Sequence, residues 1–78
     1  MTIQEAIAAK VLKLMLKNNI TQQELSIRMG VDEKIVTQIL NADFKIKLST
    51  IITIAKSFNL TLKEFFNDEL FKFSNIDL

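Results

Sequence analysis

Among the 78 residues there is no cysteine, histidine, tryptophan, tyrosine or proline, and glycine occurs once. Without cysteine there is no disulfide framework, so a chain this short must be held by its core. Without cysteine or histidine, zinc and copper sites lose their usual ligands, and serine or cysteine nucleophiles lose their usual base. No glycine-rich phosphate loop is present, and no motif fixes a pair of carboxylates, so the chain does not read as an enzyme and calls for no metal and no cofactor. No run approaches the roughly 18 apolar residues of a membrane span. The N-terminal stretch does not read as a signal peptide, because Glu5 precedes the first basic residue and Lys10 and Lys13 interrupt the apolar run. The expected setting is the cytoplasm.

What is present suits one small globular domain. Hydrophobic residues make up 49% of the chain, ample for a core and too many for disorder. The net charge of +1 hides an uneven distribution. Residues 10–63 carry nine basic side chains against four acidic ones, a net of +5. From residue 64 onward Glu64, Asp68, Glu69 and Asp77 face only Lys72, a net of −3, and Glu5 supplies the remaining −1. A basic body with an acidic end is compatible with binding a polyanion through one face.

Apolar residues recur at helical spacing almost throughout. Ile3, Ile7, Val11, Leu14 and Met15 form one stripe behind a Thr2–Glu5 capping box, predicting a helix over about residues 3–17 that Asn18 and Asn19 end. Lys10, Lys13 and Lys17 fall on its opposite, solvated face. A second box, Thr21 with Glu24, and the Ile20–Leu25 staple open a helix over about 22–29, which stops at Gly30. Asp32 caps a third helix reaching about residue 40, with Val31 and Val36 at staple spacing. After a basic loop from Asn41 to Lys47, a fourth helix is expected over about 48–58 and a fifth, behind the Thr61–Glu64 box, over about 62–67. The segment beyond, with Leu70, Phe71, Phe73, Ile76 and Leu78 apolar, fits either a continued helix or an extended strand. The fold class is therefore all-α: five short helices in a domain of residues 1–67, followed by an acidic, apolar extension of residues 68–78.

The second and third helices are joined only by Gly30, Val31 and Asp32, too short a link for an antiparallel pair. A three-residue turn containing glycine is what a helix-turn-helix uses. Around it the chain resembles the helix-turn-helix family of the lambda repressor and Cro proteins, also called the xenobiotic-response-element type. Its twenty-residue window runs here from Gln22 to Asn41, with Leu25, Met29, Val31, Val36 and Ile39 at buried positions, Ser26 facing the third helix and Gly30 at the turn. The stretch from Ile54 to Thr61 looks like the family's closing segment, so the likeness covers roughly residues 8–66. Where relatives often place glycine, this chain has Asn19, Ala42 beside Asn41, and Asn59. Where some pair a buried Arg with a Glu, it has Met15 and Leu40, an apolar replacement that need not cost stability.

At about 100° per residue the third helix gathers Ile35, Val36, Ile39 and Leu40 on one arc and leaves Glu33, Lys34, Thr37, Gln38 and Asn41 outside it. In the family such a helix enters the major groove, so the resemblance implies base contacts from Glu33, Lys34, Thr37 and Gln38. Gln38 suits adenine, Lys34 guanine, and Glu33 cytosine. Phosphate contacts fall to Gln22 and Gln23 at the start of the second helix, and to Asn41, Lys45 and Lys47 after the third. The expected partner is double-stranded DNA, bound by a homodimer reading two half-sites, and the expected role is transcriptional repression. The apolar tail, Leu70 to Leu78, is either the dimer surface or a segment that folds back onto the domain's own core. An antitoxin-like module is the alternative, with Phe71, Phe73 and Ile76 engaging a protein partner.

Overall fold

A computed structural model describes residues 1–77. Leu78, placed in the apolar tail by its sequence, lies outside the described residues. Five α-helices follow in chain order: α1 (Ile3–Asn18), α2 (Gln22–Met29), α3 (Glu33–Leu40), α4 (Leu48–Ser57) and α5 (Leu62–Phe66). Single 3₁₀ turns at Glu69–Phe71 and Phe73–Asn75 complete the described residues, among which there is no strand. The all-helical reading holds, with every helix boundary within a residue or so of its expected place.

Each helix contributes to one core. Ile7 and Val11 from α1, Leu25 from α2, Val36 and Ile39 from α3, Ile54 from α4 and Phe65 from α5 are all at most 1% exposed. Ile20, Val31 and Leu60, each just before an N-cap, pack on that core as the staple spacing requires. Thr2 and Thr61 form complete capping boxes with Glu5 and Glu64, and the backbone N–H groups donated to these carboxylates hold both below their ordinary pKa. The box at Thr21 is only half built. Its hydroxyl accepts from the Glu24 N–H, but the Glu24 carboxylate turns to that hydroxyl instead of the backbone.

Four helices stop by one device. The residue past the helix takes a left-handed conformation, its N–H bonds back three residues, and the next N–H bonds back five. Gly30 and Val31 donate to Ile27 and Ser26, and Asn19 and Ile20 to Leu16 and Met15. Asn59 with Leu60, and Ala42 with Asp43, repeat the pattern. The left-handed residue after α3 is thus Ala42 (φ 58°), whereas the neighbouring Asn41 keeps a negative φ. A β-carbon is disfavoured there by about 1–2 kcal/mol, offset in part by the chain entropy a glycine would bring to the unfolded state. Ala42→Gly is expected to stabilise the domain by about 1 kcal/mol, read as a rise in the urea midpoint. Gly30 has nothing within 4 Å of where a β-carbon would stand, so conformation alone, and no close approach, requires glycine there.

The residues after α5 form neither a sixth helix nor a strand. Asp68 turns back on α1, where its carboxylate accepts from Lys10 Nζ at 2.9 Å and Lys13 Nζ at 2.8 Å. Its second oxygen accepts from the Leu70 N–H and starts the first 3₁₀ turn. Lys10, expected on the solvated face of α1, is buried because this carboxylate meets it there. Phe71 follows onto Phe65 and Phe66, with ring centroids 5.9 and 4.9 Å away. The Asp77 N–H donates to the Met1 carbonyl at 2.7 Å, so the tail is tied at both ends to the start of the chain. Phe73 stands out at 85% exposed, and Ile76 is half-buried.

The Lys13, Leu70 N–H and Lys10 bonds hold the Asp68 carboxyl well below the usual carboxylate range. A group whose folded pKa is depressed stabilises the fold above its unfolded value and loses that contribution as the pH falls. The clamp therefore acts in full at neutral pH and fades below the ordinary carboxylate value of 3.8. Asp68→Asn is expected to cost about 2 kcal/mol, less than a fully enclosed ion pair because the Lys13 ammonium relaxes into water. Denaturation curves check this: the variant should lag the parent at pH 7, and the difference should shrink on acidification.

Candidate nucleic-acid interface

The turn sets the position of α3. Val31 enters the core just after Gly30, and Asp32 caps α3 by accepting from the Lys34 N–H at 2.9 Å. With Val36 and Ile39 buried, the outer side of α3 carries Glu33, Lys34 and Thr37 exposed and Gln38 half-buried, with Asn41 exposed at its end. Ile35, expected within the apolar arc, is 38% exposed instead. It lies at the edge of that arc and borders two grooves running towards α4.

Two sets of the selected residues meet. Gln38 lines one groove with Lys45 and Lys47, across Ile35, Phe44 and Thr50. Thr37 reaches the other way, its hydroxyl donating to Gln22 Oε1 at 2.9 Å and so joining α3 to the start of α2. Gln23 is exposed beside Gln22 but has no such link to α3.

Charge pairing divides the lysines into two groups. Lys10 and Lys13 are met by Asp68, and Arg28 donates to the Ser57 carbonyl at the end of α4. Among the described residues no acidic group pairs with Lys17, Lys34, Lys45, Lys47, Lys56 or Lys63, and of these Lys34, Lys45 and Lys47 belong to α3 and the segment leading from it to α4. The unpaired positive charge around α3 therefore lies on the side of the helix-turn-helix that the core leaves open.

One feature of this side escaped the sequence reading. Thr2, Thr21, Asp32 and Thr61 cap the other four helices, but Lys47 occupies the N-cap of α4 and makes no side-chain capping bond. The Thr50 N–H already donates to the Lys47 carbonyl, so the N–H groups of Leu48 and Ser49 are the ones left open beside two lysines. Such an end attracts anions through its N–H groups and its dipole. The signal was a lysine where the other helices have an oxygen-bearing side chain.

The decisive comparison is with protein families: the model of the Cro/C1-type HTH DNA-binding domain matches residues 10–70. The chain belongs to that family. The match runs from the buried Lys10 of α1 to Leu70 in the first 3₁₀ turn, so it takes in all of α2 to α5 and the Asp68 clamp. Comparison with curated proteins and with solved structures returns no match. As a Cro/C1-type domain the chain is a DNA-binding module whose helix-turn-helix is α2–Gly30–α3. No helix among the described residues is long and apolar enough to cross a membrane.

Proposed function

We propose that the chain is a sequence-specific, double-stranded-DNA-binding transcriptional repressor of the cytoplasm, acting as a dimer with α3 in the major groove. The observation that carries this reading is the groove shared by Gln38, Lys45 and Lys47, which sets an amide able to read a base beside two cations without acidic partners. Glu33, Lys34, Thr37 and Gln38 face base edges, with Gln38 paired to adenine through two hydrogen bonds. Gln22, Gln23, Asn41, Lys45 and Lys47 hold the phosphates on either side, beside the open start of α4. Repression needs only that the operator be occupied, whereas activation needs a further contact surface. A dimer follows from economy: one helix reads few base pairs, and two half-sites about one turn apart multiply the discrimination. Sedimentation of the free protein and of its complex checks the stoichiometry.

Two substitutions separate reading from holding. Gln38→Ala is expected to cost about 1–3 kcal/mol on the preferred duplex and much less on a duplex altered at the base it reads. Lys45→Ala should weaken all duplexes alike. Titration of labelled duplexes measures both. Unchanged affinities in both variants would defeat the assignment of α3 and its following loop to DNA.

A further inference from the structure

We infer that Thr37 divides its side chain between two tasks: its hydroxyl positions Gln22, and its γ-methyl reads the methyl group of a thymine. The inference rests on the DNA-binding reading above and names the base that one position of it selects. Gln22 Oε1 is only an acceptor, so in the 2.9 Å contact the proton belongs to Thr37. Among the described residues the one other acceptor bonded to this hydroxyl is the Glu33 carbonyl at 3.3 Å, also within the protein. Whichever accepts, the single proton of Thr37 is directed into the domain and none is offered to a base. An exposed threonine whose proton is engaged in this way can still accept through Oγ1, and beside that oxygen it presents its methyl group. The 5-methyl of thymine is the apolar group that the major groove displays, and threonine methyls are among its partners.

The same bond fixes Gln22. With Oε1 turned to Thr37, the carboxamide directs its NH₂ outward, and two donors at the start of α2 suit a phosphate oxygen. Thr37 is thus a specificity residue through its methyl and a positioning residue through its hydroxyl.

Deoxyuridine lacks only the 5-methyl, so it isolates the contact. With a duplex selected by the wild type, each thymine is replaced in turn by deoxyuridine, and affinities are measured for wild type, Thr37→Ser and Thr37→Val. One thymine in each half-site is expected to matter, its replacement weakening the wild type by roughly fourfold, the worth of one buried methyl. Thr37→Ser should be indifferent to that replacement. Thr37→Val should keep the sensitivity while binding every duplex more weakly, by the same factor as Gln22→Ala and without further loss when the two are combined. Equal sensitivity of wild type and Thr37→Ser at every thymine would overturn the inference, as would loss of the sensitivity in Thr37→Val. If the wild type enriches no duplex sequence at all, the DNA-binding reading itself falls and takes this assignment with it.

Discussion

Raising the salt concentration from about 50 to about 200 mM is expected to weaken the complex with the preferred duplex by roughly a hundredfold. The proposed dimer sets Lys45 and Lys47 against phosphates, two contacts in each subunit and four in all. Each neutralised phosphate contributes about −0.9 to the slope of log K against log salt, for a total of about −3.6. Lys45→Ala removes one contact per subunit and should reduce the slope to about −1.8. Lys13→Ala should leave the slope unchanged, since Asp68 already meets that ammonium on the tail side of α1. The slopes are read from titrations at four or five salt concentrations. A wild-type slope near zero would mean that Lys45 and Lys47 do not lie on phosphates.

Phe65→Ala is expected to cost about 3–5 kcal/mol, a large part of the roughly 4–12 kcal/mol available to a domain of this size. The ring is 0% exposed and packs edge-on against Phe66 at 5.2 Å, so its removal leaves a cavity that neighbouring helices cannot close. Phe71 loses one of its two aromatic partners in the same step and keeps Phe66. Phe73→Ala is the matched control. At 85% exposed, Phe73 has almost no buried surface to lose, and its removal should shift stability by no more than about 0.5 kcal/mol. Urea denaturation of the two variants gives both numbers. Similar midpoints would contradict the description of the core.

The helices were legible because their signals are local. Thr2, Asp32 and Thr61 each cap within three residues of themselves, and a staple needs only one apolar residue on either side of the cap. Gly30 was legible for the same reason, since its left-handed turn depends on its own backbone. Ala42 adopts the same conformation against its preference, so nothing in its identity announced it. The tail was illegible for a different reason. Asp68 acts on Lys10 and Lys13, more than fifty residues earlier, and no local pattern relates them. That pairing buries a lysine on the face of α1 that periodicity assigns to solvent, and it bends the chain out of both a helix and a strand.

On α3 the helical wheel separated Val36 and Ile39 from the outward residues correctly, but it could not tell that Ile35, at the margin of the arc, would be partly exposed. The groove joining Gln38 to Lys45 and Lys47 depends on where the loop returns to α4. The Thr37–Gln22 bond depends on how α2 crosses α3. Both are tertiary facts, although every residue in them was selected on its own.

The central claim is that the outer side of α3 reads a DNA sequence, and selection of bound duplexes from a random library by the wild-type chain tests it most directly. The account predicts an enriched motif made of two related half-sites centred about 10 base pairs apart. It also predicts that Gln38→Ala, put through the same selection, loses its preference at one position of each half-site and keeps the rest. An unenriched pool, or an identical motif from the two proteins, would contradict it.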